Sequence, residues 1–131
     1  IIENIKPYKF NQIVLLMELI AFLGAGEGTW AQVAGVIKQG DWESIILIGN
    51  NFAKKFTIEK DFEFIEVSSS GIVELKEEIL KKLQGKVKGT EVALTIASGT
   101  GKEHMALISA LLNLPAGIRF TALTKDGIVF M

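Results

Sequence analysis

Two glycine-rich segments carry the residue types that could bind a charged ligand. Residues 24–29 read Gly-Ala-Gly-Glu-Gly-Thr, and residues 97–102 read Ala-Ser-Gly-Thr-Gly-Lys. Each segment stands between an apolar run and a helical pattern, where glycines let the backbone approach a bound group closely. A helix start also presents free amides and a partial positive charge to an anion. Both segments are therefore predicted to recognise a phosphate or a ribose, the alternative for the first being a tight turn that binds nothing.

Both segments end with the spacing of a capping box, which marks the first turn of a helix. The pairs are Thr29 with Gln32, and Thr100 with Glu103. Lys102 falls in the first turn of the second helix, where a cation opposes the helix dipole. An arriving anion would explain a lysine at this position, and a solvated lysine that points away from the helix end is the alternative.

Other chemistries find little support in the sequence. The segment at residues 98–102 is not a Walker A motif, since the first glycine would fall at Ile96 and Glu103 stands at the magnesium-binding Ser/Thr position. His104 is the only histidine and there is no cysteine, which excludes metal sites built on several histidines or on thiolates. A place on the helix surface is the favoured interpretation of His104, and no metal or cofactor is predicted.

The elements that must position these segments follow from hydrophobic periodicity and from turn residues. Asn50 and Asn51 end a β-branched run, where they would contact a base or ribose or form a turn. Strands are predicted at residues 13–23, 44–48, 62–67, 91–97, 118–123 and 128–131, and helices at residues 29–39, 72–83 and 101–112.

The alternation of strands and helices predicts an α/β fold of the Rossmann-like kind, a three-layer sandwich. Right-handed crossovers would give a mostly parallel sheet with helices on both faces and a C-terminal antiparallel edge hairpin. In such a sheet, ligands bind beyond the carboxyl ends of the strands, where the strand order reverses. If the strands at residues 13–23 and 91–97 are the central neighbours, both glycine-rich segments face one crevice.

Length, charge and hydropathy set wider limits. The 131 residues fit a single domain, with residues 1–12 as a possible arm. A net charge of −1 with 14 basic residues, of which only Arg119 is an arginine, argues against duplex nucleic acid as a partner. The apolar run at residues 13–23 is too short for a membrane span, which needs about 20 residues. No membrane partner is therefore predicted. The absence of cysteine and of a signal-like segment predicts a cytoplasmic protein, a cysteine-free secreted protein being the alternative.

The segment ALTIASGTGKEHMALISALLNLPAGIRFTAL, residues 93–123, resembles CARF domains, the CRISPR-associated Rossmann-fold sensors. FLGAGEGTWAQVAGVI and WESIILIGN are similar to the first loop, first helix and second strand of that family. The resemblance implies a homodimer that binds a cyclic oligoadenylate second messenger across the two-fold axis. Some members also cleave the ring without a metal, and by that resemblance Lys102 would stabilise phosphate charge with Ser98 or Thr100 assisting. Whether this chain is an enzyme is left open.

Two other interpretations stay open. LGAGEGTW is similar to the first motif of S-adenosylmethionine-dependent methyltransferases, although Phe22 stands where that motif has an acidic residue. The chain could also be a non-catalytic assembly module whose loops bind nothing. The residues predicted to touch the ligand are Gly24, Ala25, Gly26, Glu27, Gly28, Thr29, Asn50, Asn51, Ser98, Gly99, Thr100, Gly101 and Lys102, with Lys102 and Ser98 catalytic if the domain cleaves the ring.

Overall fold

Strands and helices alternate along residues 17–131, the part of the chain that a computed structural model describes. The arm predicted at residues 1–12, and residues 13–16 of the first predicted strand, lie outside it. The strands are β1 (Met17–Leu23), β2 (Trp42–Gly49), β3 (Glu63–Glu66), β4 (Glu91–Thr95), β5 (Gly117–Thr124) and β6 (Gly127–Phe130), and the α-helices are α1 (Trp30–Gln39), α2 (Ile72–Leu83) and α3 (Gly101–Leu112).

The six strands form a sheet in the order β3-β2-β1-β4-β5-β6. β1 to β5 are parallel, and β6 runs antiparallel to β5. Ala21 is aligned with Leu47 of β2 on one side and with Thr95 of β4 on the other. The predicted α/β fold with its C-terminal antiparallel hairpin is thereby confirmed, and β1 and β4 are the central neighbours at which the strand order reverses.

Helices cover both faces of the sheet. Ile20 and Phe22 point into a core shared with α2 and α3, whereas Leu19 and Leu23 point into a second core shared with α1. All seven residues of β1 are buried, which explains why the strand, apart from Glu18, has an apolar sequence rather than an alternating one. The position of β1 between two cores fixes where its carboxyl end, and so the first glycine-rich segment, must lie.

The C-terminal hairpin leans onto the α1 face instead of extending the sheet flat. β5 pairs with β4 only as far as Phe120, and from Thr121 onward it pairs with β6. Phe130 of β6 thereby reaches Trp42 of β2, with ring centroids 6.1 Å apart and nearly perpendicular planes. Leu123 packs so closely on α1 that a Cβ on Gly35 would lie 2.5 Å from it.

A buried carboxylate ties the amino end of the sheet together. Glu18 of β1 is 2% exposed and accepts hydrogen bonds from the backbone amides of Lys88 and Gly89, at 2.9 and 2.8 Å. Ser44 of β2 donates to the same carboxylate at 3.3 Å. Buried carboxylates are tolerated when they are hydrogen-bonded in this way, so Glu18 holds the segment before β4 against β1.

Candidate functional site

The first glycine-rich segment leaves β1 and enters α1 through a short 3-10 turn, Glu27–Thr29. Gly24 is buried, and its carbonyl oxygen accepts a hydrogen bond from the Trp30 indole at 2.9 Å. The capping box predicted for Thr29 and Gln32 is wrong, because Thr29 has helical backbone angles and makes no side-chain cap. The 3-10 turn already begins the helical path before α1, and this leaves the Thr29 hydroxyl to contact Ser98 and the Gly26 carbonyl.

The second segment has the capping box that the sequence predicts. The Thr100 hydroxyl accepts from the Glu103 amide at 3.2 Å, and the Glu103 carboxylate accepts from the Thr100 amide at 2.8 Å. Gly99 has a φ of +108°, a conformation that residues with a side chain rarely adopt. His104 Nε2 lies 2.6 Å from the Ser98 carbonyl oxygen. Because a carbonyl oxygen can only accept, this nitrogen carries the proton and donates the hydrogen bond that ties the loop to α3.

The two segments are joined by a direct contact, which we call the clasp and define as Gly24, Thr29 and Ser98. The Gly24 amide donates to Ser98 Oγ at 2.9 Å, and the two hydroxyl oxygens of Thr29 and Ser98 lie 2.7 Å apart. The Thr29 hydroxyl also lies 3.2 Å from the Gly26 carbonyl oxygen. Since each hydroxyl has one proton, all three contacts are satisfied when Thr29 donates to Gly26 and Ser98 donates to Thr29.

The clasp also depends on the absence of side chains where the loops cross. A Cβ on Gly24 would lie 2.8 Å from both the Cα and the amide nitrogen of Gly99. Such a distance is too short for backbone atoms, so the close approach of the loops requires glycine at position 24. The predicted crevice is therefore filled at Gly24 and Gly99, and the exposed residues 25–29 and 99–102 flank the contact.

Backbone amides around the clasp are available to a ligand. Within residues 17–131, the amides of Ala25 and Gly26 donate no hydrogen bond. The amides of Gly101 and Lys102, in the first turn of α3, have no acceptor within the helix. Each of the two loops that the clasp joins therefore carries free N–H groups, which favour an anion.

Lys102 does not point freely into this surface. Its ammonium group donates a hydrogen bond to the carbonyl oxygen of Ser70, in the loop between β3 and α2. That loop, residues 67–71, is a third segment at the carboxyl edge of the sheet, and the sequence reasoning did not include it. Its signal was the run Ser68-Ser69-Ser70 directly before an amphipathic helix.

A carboxylate of α2 anchors the same loop. Glu78 accepts from the backbone amides of Ser68 and Ser69, at 3.1 and 3.0 Å, and from the Lys82 ammonium at 2.9 Å. Burial acts to raise the pKa of Glu78, but the hydrogen bonds from Lys82, Ser69 and Ser68 together outweigh it and lower the pKa to about 2. Glu78 is therefore ionised at any ordinary pH and holds the third loop in place.

The two asparagines lie at the end of β2. The Asn50 side-chain oxygen accepts from the amides of Phe52 and Ala53, at 3.0 and 3.3 Å, and so caps the 3-10 helix Asn51–Lys55. This is the turn alternative of the two that the sequence left open for Asn50. Asn51 and Glu27 are exposed, with no side-chain hydrogen bond to the described residues.

Comparisons with known proteins do not assign the chain to a group: no protein-family model and no curated protein sequence matches it. In residues 17–131, no three His, Asp or Glu side chains come close enough together to hold a metal ion. Nor does any helix of that part have the length and apolar composition to cross a bilayer.

Proposed function

We propose that this domain is a sensor that binds a nucleotide second messenger, a cyclic oligoadenylate, at the carboxyl edge of its sheet. The observation that carries the proposal is the clasp between the loops after β1 and β4. It joins the loop that carries the free amides of Ala25 and Gly26 to the loop that leads into the free amides of Gly101 and Lys102. Amides at the start of a helix favour phosphate oxygens, and the site lies where the strand order reverses, which is the usual ligand position in such sheets.

The proposal includes a homodimer. A ring of repeated nucleotides presents phosphates related by symmetry, and two copies of the domain around a two-fold axis would present the paired loops in the same way. One copy supplies amides for only part of such a ring. The ligand would accordingly be shared between the two copies.

Binding, rather than cleavage, is the core of the proposal. Ser98 is 1% exposed and its hydroxyl is engaged by Gly24 and Thr29, while the Lys102 ammonium is engaged by Ser70. Ring cleavage by these two residues would require both to leave their present partners. Product analysis after incubation with the ring decides whether the domain also has this activity.

The test is a thermal-shift panel with cyclic tetra- and hexa-adenylate, linear oligoadenylate, ATP and S-adenosylmethionine. A ligand that binds only the folded state at 100 times its Kd stabilises it by about 2.7 kcal/mol, and we expect this for one cyclic oligoadenylate. A shift with S-adenosylmethionine alone would replace the proposal with the methyltransferase alternative. If none of these ligands raises the Tm of the folded protein, the proposal is overturned.

Lys102→Ala tests the site within that panel. We expect the substitution to weaken binding of the cyclic oligoadenylate roughly fivefold to tenfold, since Lys102 donates one hydrogen bond to Ser70 and keeps protons for a phosphate, a contact of about 1–1.5 kcal/mol. Lys81→Ala is the matched control, because Lys81 is an exposed helical lysine on α2 that makes no ion pair within the described residues. Equal affinity for the two variants would remove Lys102 from the site.

A second candidate function is a non-catalytic assembly module. It is favoured by one observation, that three polar side chains of the predicted site already bind other groups of the domain. The Asn50 oxygen, the Ser98 hydroxyl and the Lys102 ammonium all have partners inside the domain. The absence of a thermal shift with every ligand of the panel, together with a stable oligomer in solution, would support this function instead.

A further inference from the structure

A cavity of about 520 Å³ opens beside the clasp, on the α1 face of the sheet. It exists because β5 leaves β4 after Phe120 and follows β6 onto α1, so the two strands separate at their carboxyl ends. Its walls are mainly apolar and include Val36, Ile96, Ala97 and Leu123. Small-molecule sites are typically apolar cavities of roughly 300–1,000 Å³ with a few placed polar groups, and this cavity has that size and character.

One buried polar group in the wall has no hydrogen-bond partner among residues 17–131. Thr95 is 2% exposed and lines the cavity, yet its hydroxyl makes no hydrogen bond to any residue in 17–131. Every side-chain nitrogen or oxygen of that part that is shut off from solvent has a partner, so the Thr95 hydroxyl keeps some contact with solvent, and the cavity is the opening that Thr95 lines. Thr121, on the neighbouring strand, shows the contrast, because its hydroxyl donates to the Val129 carbonyl oxygen at 3.1 Å.

A second polar group stands on the opposite wall. Gln32 of α1 lines the cavity and is exposed, and its amide makes no hydrogen bond within the described residues. A hydroxyl and a carboxamide can each donate and accept, and among residues 17–131 the lining contains no charged side chain. This combination suits a flat, uncharged ring with nitrogen and oxygen atoms on its edge, whereas an aliphatic chain would leave both polar groups unused.

The cavity adjoins the anion-binding loops through the chain itself. Ala97 directly precedes Ser98 of the clasp, and Gln32 follows Thr29 by three residues, about one helical turn. A ligand that spans both places needs a charged group next to a planar uncharged one. A nucleotide has this arrangement, with its phosphate and base joined by a ribose.

We propose that this cavity, lined by Thr95 and Gln32, binds the base of the nucleotide whose phosphate lies on the loop amides. The inference rests on the proposed function, which sets the base as adenine. The Thr95 hydroxyl and the Gln32 amide read the edge of the base, and the apolar walls cover its faces. The cavity would therefore determine which base is accepted, and the amides would bind the phosphate of any nucleotide.

The experiment separates the two halves of the ligand by NMR titration of the whole protein. Adenosine carries the base without a phosphate, and ribose 5-phosphate carries the phosphate without a base. We expect adenosine to shift the methyl signals of Thr95, Ile96 and Val36. Ribose 5-phosphate should instead shift the amide signals of Gly26 and Gly101.

Two variants sharpen the test. Thr95→Val keeps the shape of the side chain and removes the hydroxyl, so we expect about fivefold weaker binding of adenosine, the effect of one lost hydrogen bond. Thr90→Val is the matched control, since Thr90 is exposed just before the amino end of the same strand. Ala97→Phe fills the cavity mouth and should abolish the adenosine shifts at Thr95.

The titrations distinguish failure of the base site from failure of the proposed function. If adenosine shifts the methyl signals at the cavity but ribose 5-phosphate does not shift the amide signals of the loops, the base site is supported and the phosphate site is overturned. The reverse pattern would overturn the base site alone. A third outcome is that the methyl signals of Ile96 and Thr95 change with protein concentration but do not respond to adenosine. That result would overturn the base site and indicate that a second copy of the chain covers the cavity.

Discussion

The contact between the two glycine-rich loops is testable by one added methyl group. In Gly24→Ala the new Cβ would lie 2.8 Å from the Cα and the amide nitrogen of Gly99, and backbone atoms cannot yield as the tip of a side chain can. The loops must therefore move apart, which also lengthens the hydrogen bond from the Gly24 amide to Ser98. Gly24 does not have a positive φ, so alanine meets no strain from its own backbone angles.

The expected size of the effect follows from two terms. Inserting a methyl group into a filled space costs about 1–3 kcal/mol, and the weakened hydrogen bond adds about 1 kcal/mol. The free energy of unfolding should thus fall by about 2–4 kcal/mol. For a domain of this length, 1 kcal/mol lowers the Tm by roughly 3–5 °C, so the loss should be about 10 °C.

Gly26→Ala is the matched control in the same loop. A Cβ on Gly26 meets nothing within 4 Å, and its extended backbone angles suit alanine. This variant should keep the stability of the original protein or gain about 0.4–1 kcal/mol from a less flexible unfolded chain. Chemical unfolding of both variants is the assay, and equal stability for the two would refute the close contact between the loops.

Three further substitutions test the hydrogen bonds that hold the loops and the sheet. Ser98→Ala leaves the buried Gly24 amide without an acceptor and should cost about 1–3 kcal/mol; in a double-mutant cycle its effect should not add to that of Gly24→Ala, and simple additivity would contradict the clasp. For Glu78 the folded pKa of about 2 lies below the unfolded value, so its contribution is present above about pH 4.5 and is lost as the pH falls towards 2. Glu78→Gln should therefore be less stable than the original protein at pH 7, by on the order of 1–2 kcal/mol after allowance for solvent screening. This difference in stability should disappear between pH 5 and pH 2, and a difference that persisted at pH 2 would contradict this reasoning. Glu18→Ala should lose about 2 kcal/mol by leaving two backbone amides without an acceptor, whereas Glu43→Ala, at an exposed position near the same end of the sheet, should change stability by less than about 0.5 kcal/mol.

Local patterns were enough to predict the elements and their order. The helices at residues 72–83 and 101–112 begin and end where the periodicity predicts, because their apolar stripes and first turns are encoded within a few residues of one another. The buried runs of β1 and β4 likewise predicted two central strands. From these, the meeting of the two glycine-rich loops at one edge follows by topology.

The contacts that shape the site were not predictable in the same way. The hydrogen bond from Gly24 to Ser98 spans 74 positions in the sequence, and that from Lys102 to Ser70 spans 32. The Thr29 capping box failed because a tertiary contact with Ser98 replaced the local one that the spacing predicts. Hydrophobic periodicity indicates which face of an element is buried. It does not indicate which polar group of a distant loop will form a hydrogen bond with a given residue.

The same contacts bear on how such a site would distinguish its ligands. The Ser98 hydroxyl is engaged inside the domain, and Lys102 already donates one hydrogen bond to Ser70, so most of the groups left for a ligand at the loops are backbone amides, with the remaining protons and the charge of Lys102 beside them. Amides favour negative charge but do not read the identity of a base. Under the proposed function, loosening the clasp by Gly24→Ala should weaken all phosphate ligands by a similar factor. Thr95→Val should instead change the ratio of affinities between adenine and other bases, because discrimination then depends on the buried Thr95 hydroxyl, which has no hydrogen-bond partner within the described residues.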